Sequence, residues 1–223
     1  MAIKVIITGT TGMVGEGVML RCFDNPNVEK VLAISRRANG HSHEKLEELI
    51  IPDLSDLTEV KDRINGYDAC FFCAGISSIG ISKEDYEKIT YDLTLSFAKT
   101  LLEVNPKMTF TYLSGQGTDS SEKGSSHWAR VKGKVENDLS KLGFDKMYAY
   151  RPAMMKVMSD KSLHVLSSYK YLSWLYPLGR ALYPKGFNTL DEVSDSMVNV
   201  SMNGYNGFIL GGKEITKTAS ESH

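Results

Sequence analysis

Gly9, Gly12 and Gly15 recur at every third position in Gly9-Thr10-Thr11-Gly12-Met13-Val14-Gly15, directly after the apolar run Ile3 to Thr8. A first glycine lets a strand turn sharply, a second lets a diphosphate approach bare backbone, and a third lets the next helix pack close to the sheet. Backbone N–H groups at the start of that helix, aligned with its dipole, favour phosphate. The spacing differs from the G-x-G-x-x-G dinucleotide fingerprint, but the physical demands are alike. The pattern predicts a pyridine-dinucleotide site built on Gly9, Thr11, Gly12, Met13, Val14 and Gly15; a purely structural turn is the plainer alternative.

The second apolar run ends in Ser35-Arg36-Arg37. An NAD site usually carries Asp or Glu about 20 residues past the turn, accepting from the ribose 2′-hydroxyl. No acid stands here, and a guanidinium pairs with a 2′-phosphate in a charge-assisted fork. Ser35, Arg36 and Arg37 therefore predict NADP(H) in preference to NAD(H), against the alternative of two solvated arginines. Cys70 and Cys73 form a C-x-x-C inside an apolar run. Residues three apart on a strand face opposite sides, which excludes an easy disulfide or shared metal and predicts core packing.

These residues need elements to hold them. Ile3–Thr8 reads as a buried strand, and Val14–Phe23 has helical spacing, stopped by Asn25-Pro26-Asn27. Further short apolar runs at 31–35, 49–51, 69–74, 108–113 and 147–150 read as strands. Helices are expected at 54–64, from the Ser82 N-cap to Asn105-Pro106, at 126–142 and at 191–203. Strands alternating with helices predict an α/β fold, a Rossmann-type doubly wound parallel sheet with right-handed crossovers, as a single domain over 1–223. Residues 156–187 break the rhythm and read as a C-terminal lid insertion over the sheet's carboxyl edge, and 217–223 as a frayed polar tail.

A net charge of −1 with scattered Lys and Arg gives no basic face for nucleic acid. No stretch approaches the roughly 20 apolar residues of a membrane helix, so stable membrane insertion is not expected. The short amino-terminal run is no secretory signal, and three cysteines are no disulfide framework. The expected location is cytoplasmic.

Taken together, these residues resemble the short-chain dehydrogenase/reductase superfamily in its extended and atypical branch, over nearly the whole chain. The likeness lies in Thr8 to Gly15, Asp53-Leu54, Cys73-Ala74-Gly75, Leu113-Ser114 and Arg151-Pro152. Ser114 to Asp119 and Lys132-Gly133-Lys134-Val135-Glu136 are similar to Tat-interacting oxidoreductase-like and bacterial epimerase-like proteins. The resemblance implies that Asp53 and Leu54 lie beside the adenine, Ala74 and Gly75 beside the adenosine ribose, and Pro152 near the nicotinamide. It also implies that Ser114 hydrogen-bonds the reacting carbonyl and that Lys132 holds the nicotinamide ribose.

The family signature Tyr-x-x-x-Lys is here Trp128-Ala129-Arg130-Val131-Lys132. Indole donates a hydrogen bond but has no usable acidity, so Trp128 cannot serve as general acid, although it shares a helix face with Lys132. Ser114, Asp119 and His127 are the alternative proton carriers. Ser114 has a plain strand-end hydrogen bond as its alternative role, Asp119 turn chemistry and His127 a surface position. The aromatic stretch Tyr169 to Leu178 suits a substrate lid, an oligomer interface or contact with a membrane surface. Two functions are carried forward: an NADP(H)-dependent oxidoreductase or epimerase-like enzyme acting on a small carbonyl, alcohol or sugar-type substrate, and a non-catalytic NADP(H)-sensing module that regulates a partner protein.

Overall fold

The computed structural model describes residues 2–164, 176 and 186–221. Seven strands form one parallel sheet in the order β3-β2-β1-β4-β5-β6-β9. They are β1 (Ile3–Thr8), β2 (Val28–Ser35), β3 (Leu46–Ile50), β4 (Ala69–Phe72), β5 (Thr109–Leu113), β6 (Lys146–Arg151) and β9 (Ile209–Gly211). The Rossmann-type sheet expected from the sequence is what the chain forms.

Burial on both faces explains the near-continuous apolar strands. In β1, Val5 and Ile7 face one core while Ile6 faces the other; in β4, Phe71 and Phe72 divide the same way. Cys70 and Cys73 also fall on opposite faces and are free thiols. Helices α1 (Met13–Asp24), α6 (Leu190–Asn203) and α7 (Gly212–Ala219) carry side chains of the first core, and α4 (Leu93–Val104) and α5 (His127–Leu139) of the second. Gly17 gives α1 its close seat on α6: a Cβ there would lie 2.4 Å from Leu190 Cδ1. Arg21 and Asp195 clamp the same pair through three hydrogen bonds of 3.0, 3.1 and 2.8 Å.

Four local features depart from the expected pattern. Of residues 54–64, only Thr58–Val60, a 3₁₀ turn, and α2 (Lys61–Ile64) are helical. Asp53 Oδ1 accepts from Ser55 N (2.8 Å) and Asp56 Oδ1 from Thr58 N (3.0 Å), so side chains satisfy the amides a helix would have used. The helix capped by Ser82 does start there, at α3 (Lys83–Glu87), but reaches α4 through a π turn at Lys88–Asp92. The tail expected to fray from Lys217 is helical through Ala219, because α7 buries Ile215 and Thr218. Strand β9 lies in a stretch for which the sequence signalled no element.

The segment from 156 to 187 leaves at β7 (Met154–Lys156) and returns at β8 (Phe187–Thr189), and the two strands pair in parallel. Most of the expected lid, and most of the aromatic stretch within it, lies outside the described residues. Tyr176 is buried with its ring edge-on to Phe187.

A largely buried ion pair fixes α5 against the sheet. Glu136, fully buried, accepts from Arg151 Nε at 3.0 Å and from its Nη2, and Arg151 also donates to Ser120 Oγ at 2.6 Å. Removing one member of such a pair strands the other charge, at a cost of about 3–5 kcal/mol. Glu136→Ala is expected to lose that much stability in urea denaturation; a loss below about 1 kcal/mol would show that the pair does not anchor α5.

Candidate functional site

Register brings the chain's turns to one edge. Thr8, the last residue of β1, lies beside Ile34 of β2 and Phe72 of β4, and Leu113 of β5 lies beside Tyr150 of β6. Gly9, Ser35, Cys73 and Ser114 therefore leave the sheet at the same carboxyl edge. The strand order reverses between β1 and β4, which is where open α/β sheets bind ligands. A cavity of about 660 Å³ opens there.

Its first wall is the glycine turn. Gly9 has φ of +74°, and its carbonyl accepts from Gly12 N (3.0 Å). A Cβ on Gly15 would lie 2.3 Å from that carbonyl oxygen, so only glycine lets α1 begin this close to β1. Gly9, Thr11, Gly12, Met13, Val14 and Gly15 all line the cavity. Gly12 caps α1 with no side-chain bond, leaving the first-turn amides available. Thr10 is outside the wall, and its buried hydroxyl has no partner among the described residues.

Glu16, in the first turn of α1, does not line this wall. It is fully buried and accepts from His41 Nε2 (2.8 Å), Ser162 Oγ, Leu163 N (2.7 Å) and His164 N (3.0 Å). Burial by itself would raise its pKa; the hydrogen bonds from Ser162, His41, Leu163 and His164 outweigh that and hold it below the usual carboxylate value.

Ser35 and Arg36 line the cavity at the end of β2. Ser35 Oγ donates to the Arg37 carbonyl (2.6 Å), fixing the turn that follows. Arg36 is exposed with no acidic partner among the described residues, and Arg37 is exposed outside the wall. Leu54 lines the cavity, whereas Asp53 turns back to Ser55 N and Oγ. Those two hydrogen bonds hold the Asp53 carboxyl below its usual range. Ala74 and Gly75 line the cavity, with Ala74 N donating to Thr8 Oγ1 (3.1 Å). Pro152 is buried outside the described wall, and its carbonyl accepts from Gln116 N (2.9 Å).

At the far end are Ser114 and Lys132. Ser114 Oγ lies 2.8 Å from Thr118 Oγ1, which donates to the Gly115 carbonyl (2.9 Å). A hydroxyl has one hydrogen, so Ser114 donates to Thr118 and offers its lone pairs elsewhere. Thr118 went unnoticed as a site residue because only the folded loop brings it back to Ser114. Lys132 Nζ donates to the Leu113 carbonyl (3.3 Å) and sits 5.3 Å from the Tyr112 ring centre. Burial pushes its ammonium down to about 8, with Glu136 opposing the shift.

The remaining candidates stand apart from this wall. Trp128, half-buried, packs against Gly117: a Cβ there would lie 3.4 Å from the indole Cη2. His127 meets Tyr86 edge-on at 6.2 Å. Asp119 accepts from Ser121 N and Oγ and from Gly124 N, which is turn chemistry.

The fold and this edge cavity define a Rossmann-type protein of the short-chain dehydrogenase/reductase superfamily. The model of the NAD dependent epimerase/dehydratase family matches residues 5–135, more than half of the chain, and the chain belongs to that family. The family implies a nicotinamide dinucleotide as cofactor, and the residues fit one: free helix-start amides, a glycine cradle that a Cβ would fill, and no carboxylate in the described wall.

Among curated relatives, "Protein fmp52, mitochondrial" of Emericella nidulans is 24% identical over 222 residues, 95% of this chain and 92% of that protein. "Protein FMP52, mitochondrial" of Candida albicans is 24% identical over 231 residues, 96% and 97%. Among solved structures, UDP-N-acetylglucosamine 4-epimerase of Methanobrevibacter ruminantium M1 matches with a TM-score of 0.66 at 17% identity, covering 97% of this chain and 80% of that one. The names of the two relatives overturn the expected cytoplasmic location. That expectation rested on lacking a secretory apolar run, but mitochondrial targeting segments are amphipathic and need no such run.

The Lys132 shift has a thermodynamic sign. Between pH about 8 and 10.5 the unfolded chain holds a proton on Lys132 that the folded chain has released. Stability of the wild type relative to Lys132→Met is expected to rise with pH across that window and to stay level below it. A pH-independent difference in melting temperature between the two would mean that the fold does not disfavour the charged form of Lys132.

Proposed function

We propose that this chain binds NADP(H) in preference to NAD(H) and acts as an oxidoreductase or epimerase-like enzyme on a small carbonyl, alcohol or sugar-type substrate. The observation carrying this reading is the convergence on one cavity wall of the glycine turn, Arg36, Ser114 and Lys132.

In this reading the amides of Met13, Val14 and Gly15 meet the diphosphate, and Arg36 meets a 2′-phosphate beside Ser35. Arg37 screens the same phosphate from outside the wall. Leu54, Ala74 and Gly75 flank the adenosine, while Asp53 contributes by shaping its turn. Lys132 holds the nicotinamide ribose, Pro152 supports the strand end near the ring, and Ser114 orients the substrate oxygen. The dinucleotide, when bound, supplies or accepts a hydride. The chain's own part is to orient the substrate and keep the site dry.

Hydrogen bonds to charged groups contribute about 1.5–3 kcal/mol. Arg36→Ala is expected to weaken NADPH binding roughly 10- to 100-fold by calorimetric titration, with NADH affinity nearly unchanged. Arg37→Ala should have a smaller effect. Equal losses for both nucleotides would remove the case for NADP(H), and no heat from either nucleotide would remove the whole reading.

A second reading, a non-catalytic NADP(H) sensor acting on a partner protein, is favoured by one observation: Trp128 occupies the signature position and packs against Gly117 outside the described wall. If wild type binds NADPH but is inert, and Trp128→Tyr creates reductase activity, the sensor reading gains. Turnover by wild type that is abolished in Ser114→Ala rejects it.

A further inference from the structure

A site that moves a hydride to or from an oxygen-bearing carbon must also move a proton. Among the described residues of the cavity wall there is no Asp, Glu, His or Tyr. The ionisable side chains there are those of Arg36, Cys73 and Lys132. A guanidinium does not release its proton in a protein. The Cys73 thiol is pushed far up by burial, with Cys22 adding to the shift, and so does not ionise at neutral pH. Ser114 commits its hydrogen to Thr118 and presents lone pairs. Lys132 is therefore the ionisable side chain left among the described residues of the wall.

Its placement suits the task. Nζ donates to one described acceptor, the carbonyl of Leu113, and an ammonium has three hydrogens. Leu113 directly precedes Ser114, so the ammonium and the serine oxygen stand on the same strand end. Groups facing Lys132 keep its proton mobile. Glu136 on its own helix favours the charged form, but Arg151 from β6 already pairs with that carboxylate. Tyr112 from β5 presents its ring, and burial keeps its phenol neutral. Tyr86 of α3 is likewise held neutral by burial, and Cys73 follows β4 as a thiol. Burial leaves the ammonium near 8, within reach of neutral pH.

Resting on the dinucleotide reading above, we propose that Lys132 is the acid–base residue of this site, taking over the proton transfer for which Trp128 has no acidic hydrogen. In reduction, the substrate's carbonyl carbon gains a hydride from the reduced dinucleotide. Its oxygen takes a proton from the Lys132 ammonium, a new O–H bond forming as an N–H bond breaks. The resulting amine regains its proton from water. In oxidation the free amine accepts the alcohol's proton as the hydride departs to the oxidised dinucleotide. Thr118 is a positioning residue, accepting the Ser114 hydrogen and so fixing the rotamer of that hydroxyl.

The test begins with the protein alone. Lysines are labelled by reductive ¹³C-methylation, the Lys132 signal is assigned by its loss in Lys132→Arg, and its shift is followed with pH, with and without NADP⁺. The Lys132 midpoint is expected roughly two pH units below the other lysines, and a midpoint at the ordinary value near 10.4 overturns the proposal. NADP⁺ binding in the same samples reports separately on the dinucleotide reading.

NADPH oxidation is then followed with a panel of aldehydes and ketones. The expected rate falls as pH rises through about 8 in wild type. Lys132→Arg keeps the cation but cannot release a proton, so its kcat should drop by about 100-fold or more, well beyond any change in NADPH affinity. Retention of more than a tenth of wild-type kcat in Lys132→Arg, or a flat pH profile, overturns the proposal. No turnover with any carbonyl overturns both it and the oxidoreductase reading, whereas turnover with an ordinarily titrating Lys132 overturns the proposal alone.

Discussion

The closest backbone approach in the cavity wall is the one on which the site depends. Gly15 sits where any side chain would strike the Gly9 carbonyl, and Gly9 itself turns through a positive φ. This lets α1 start directly over the exit of β1, with its uncapped amides facing the cleft between β1 and β4. Moving the helix away to admit a Cβ would take its dipole and amides off the same spot. The seat of α1 on the rest of the chain follows from this: Gly17 admits Leu190, and Arg21 reaches Asp195.

The opposite wall depends on α5. Gly133 allows the Asp119 carbonyl to approach so closely that a Cβ would lie 1.8 Å from it, and the Asp119 amide donates to Ala129. The loop after β5 is thereby pinned against the helix. That pinning folds Thr118 back to Ser114 and sets Trp128 against Gly117. Glu136, one turn beyond Lys132, ties the helix to β6 through Arg151. A buried pair of this kind is weak evidence for stability, since its desolvation cost is large. Its effect here is geometric: it holds the helix that places the Lys132 ammonium under the strand end.

Position 128 carries an indole where the family signature has a phenol, and it packs against Gly117 outside the described wall. The indole N–H can donate but not ionise. The described wall is lined by backbone, apolar side chains, the hydroxyls of Thr11, Ser35, Ser77 and Ser114, the Cys73 thiol, and the cations of Arg36 and Lys132. Such a wall suits an anionic cofactor and a neutral substrate oxygen.

Much of this was legible in the residues. Strand β1 coincides with its apolar run, the Ser82 cap forms where its side chain and Asp85 predicted, and Cys70 and Cys73 face opposite cores as strand alternation requires. These depend on local rules: period-two burial, side-chain capping, and glycine where no Cβ fits. The 53–58 stretch was misread because helical spacing of Leu54, Leu57 and Ile64 says nothing about Asx turns competing for the amides. The π turn and the helical tail escaped for a related reason, since packing on distant elements decides them.

By itself, the sequence determined the glycine turn, the two-faced parallel strands, the arginines at the end of β2 and the absence of a signature tyrosine. Each is a matter of residue type at a position along a periodic element. Tertiary structure alone decided that Arg36 lines the cavity while Arg37 does not, that Asp53 turns back on Ser55, that Thr118 meets Ser114, and that half-buried Lys132 has no acid beside it in the described wall. Those outcomes depend on contacts between segments far apart in the chain. No local propensity encodes the direction a loop side chain takes once its neighbours have closed around it.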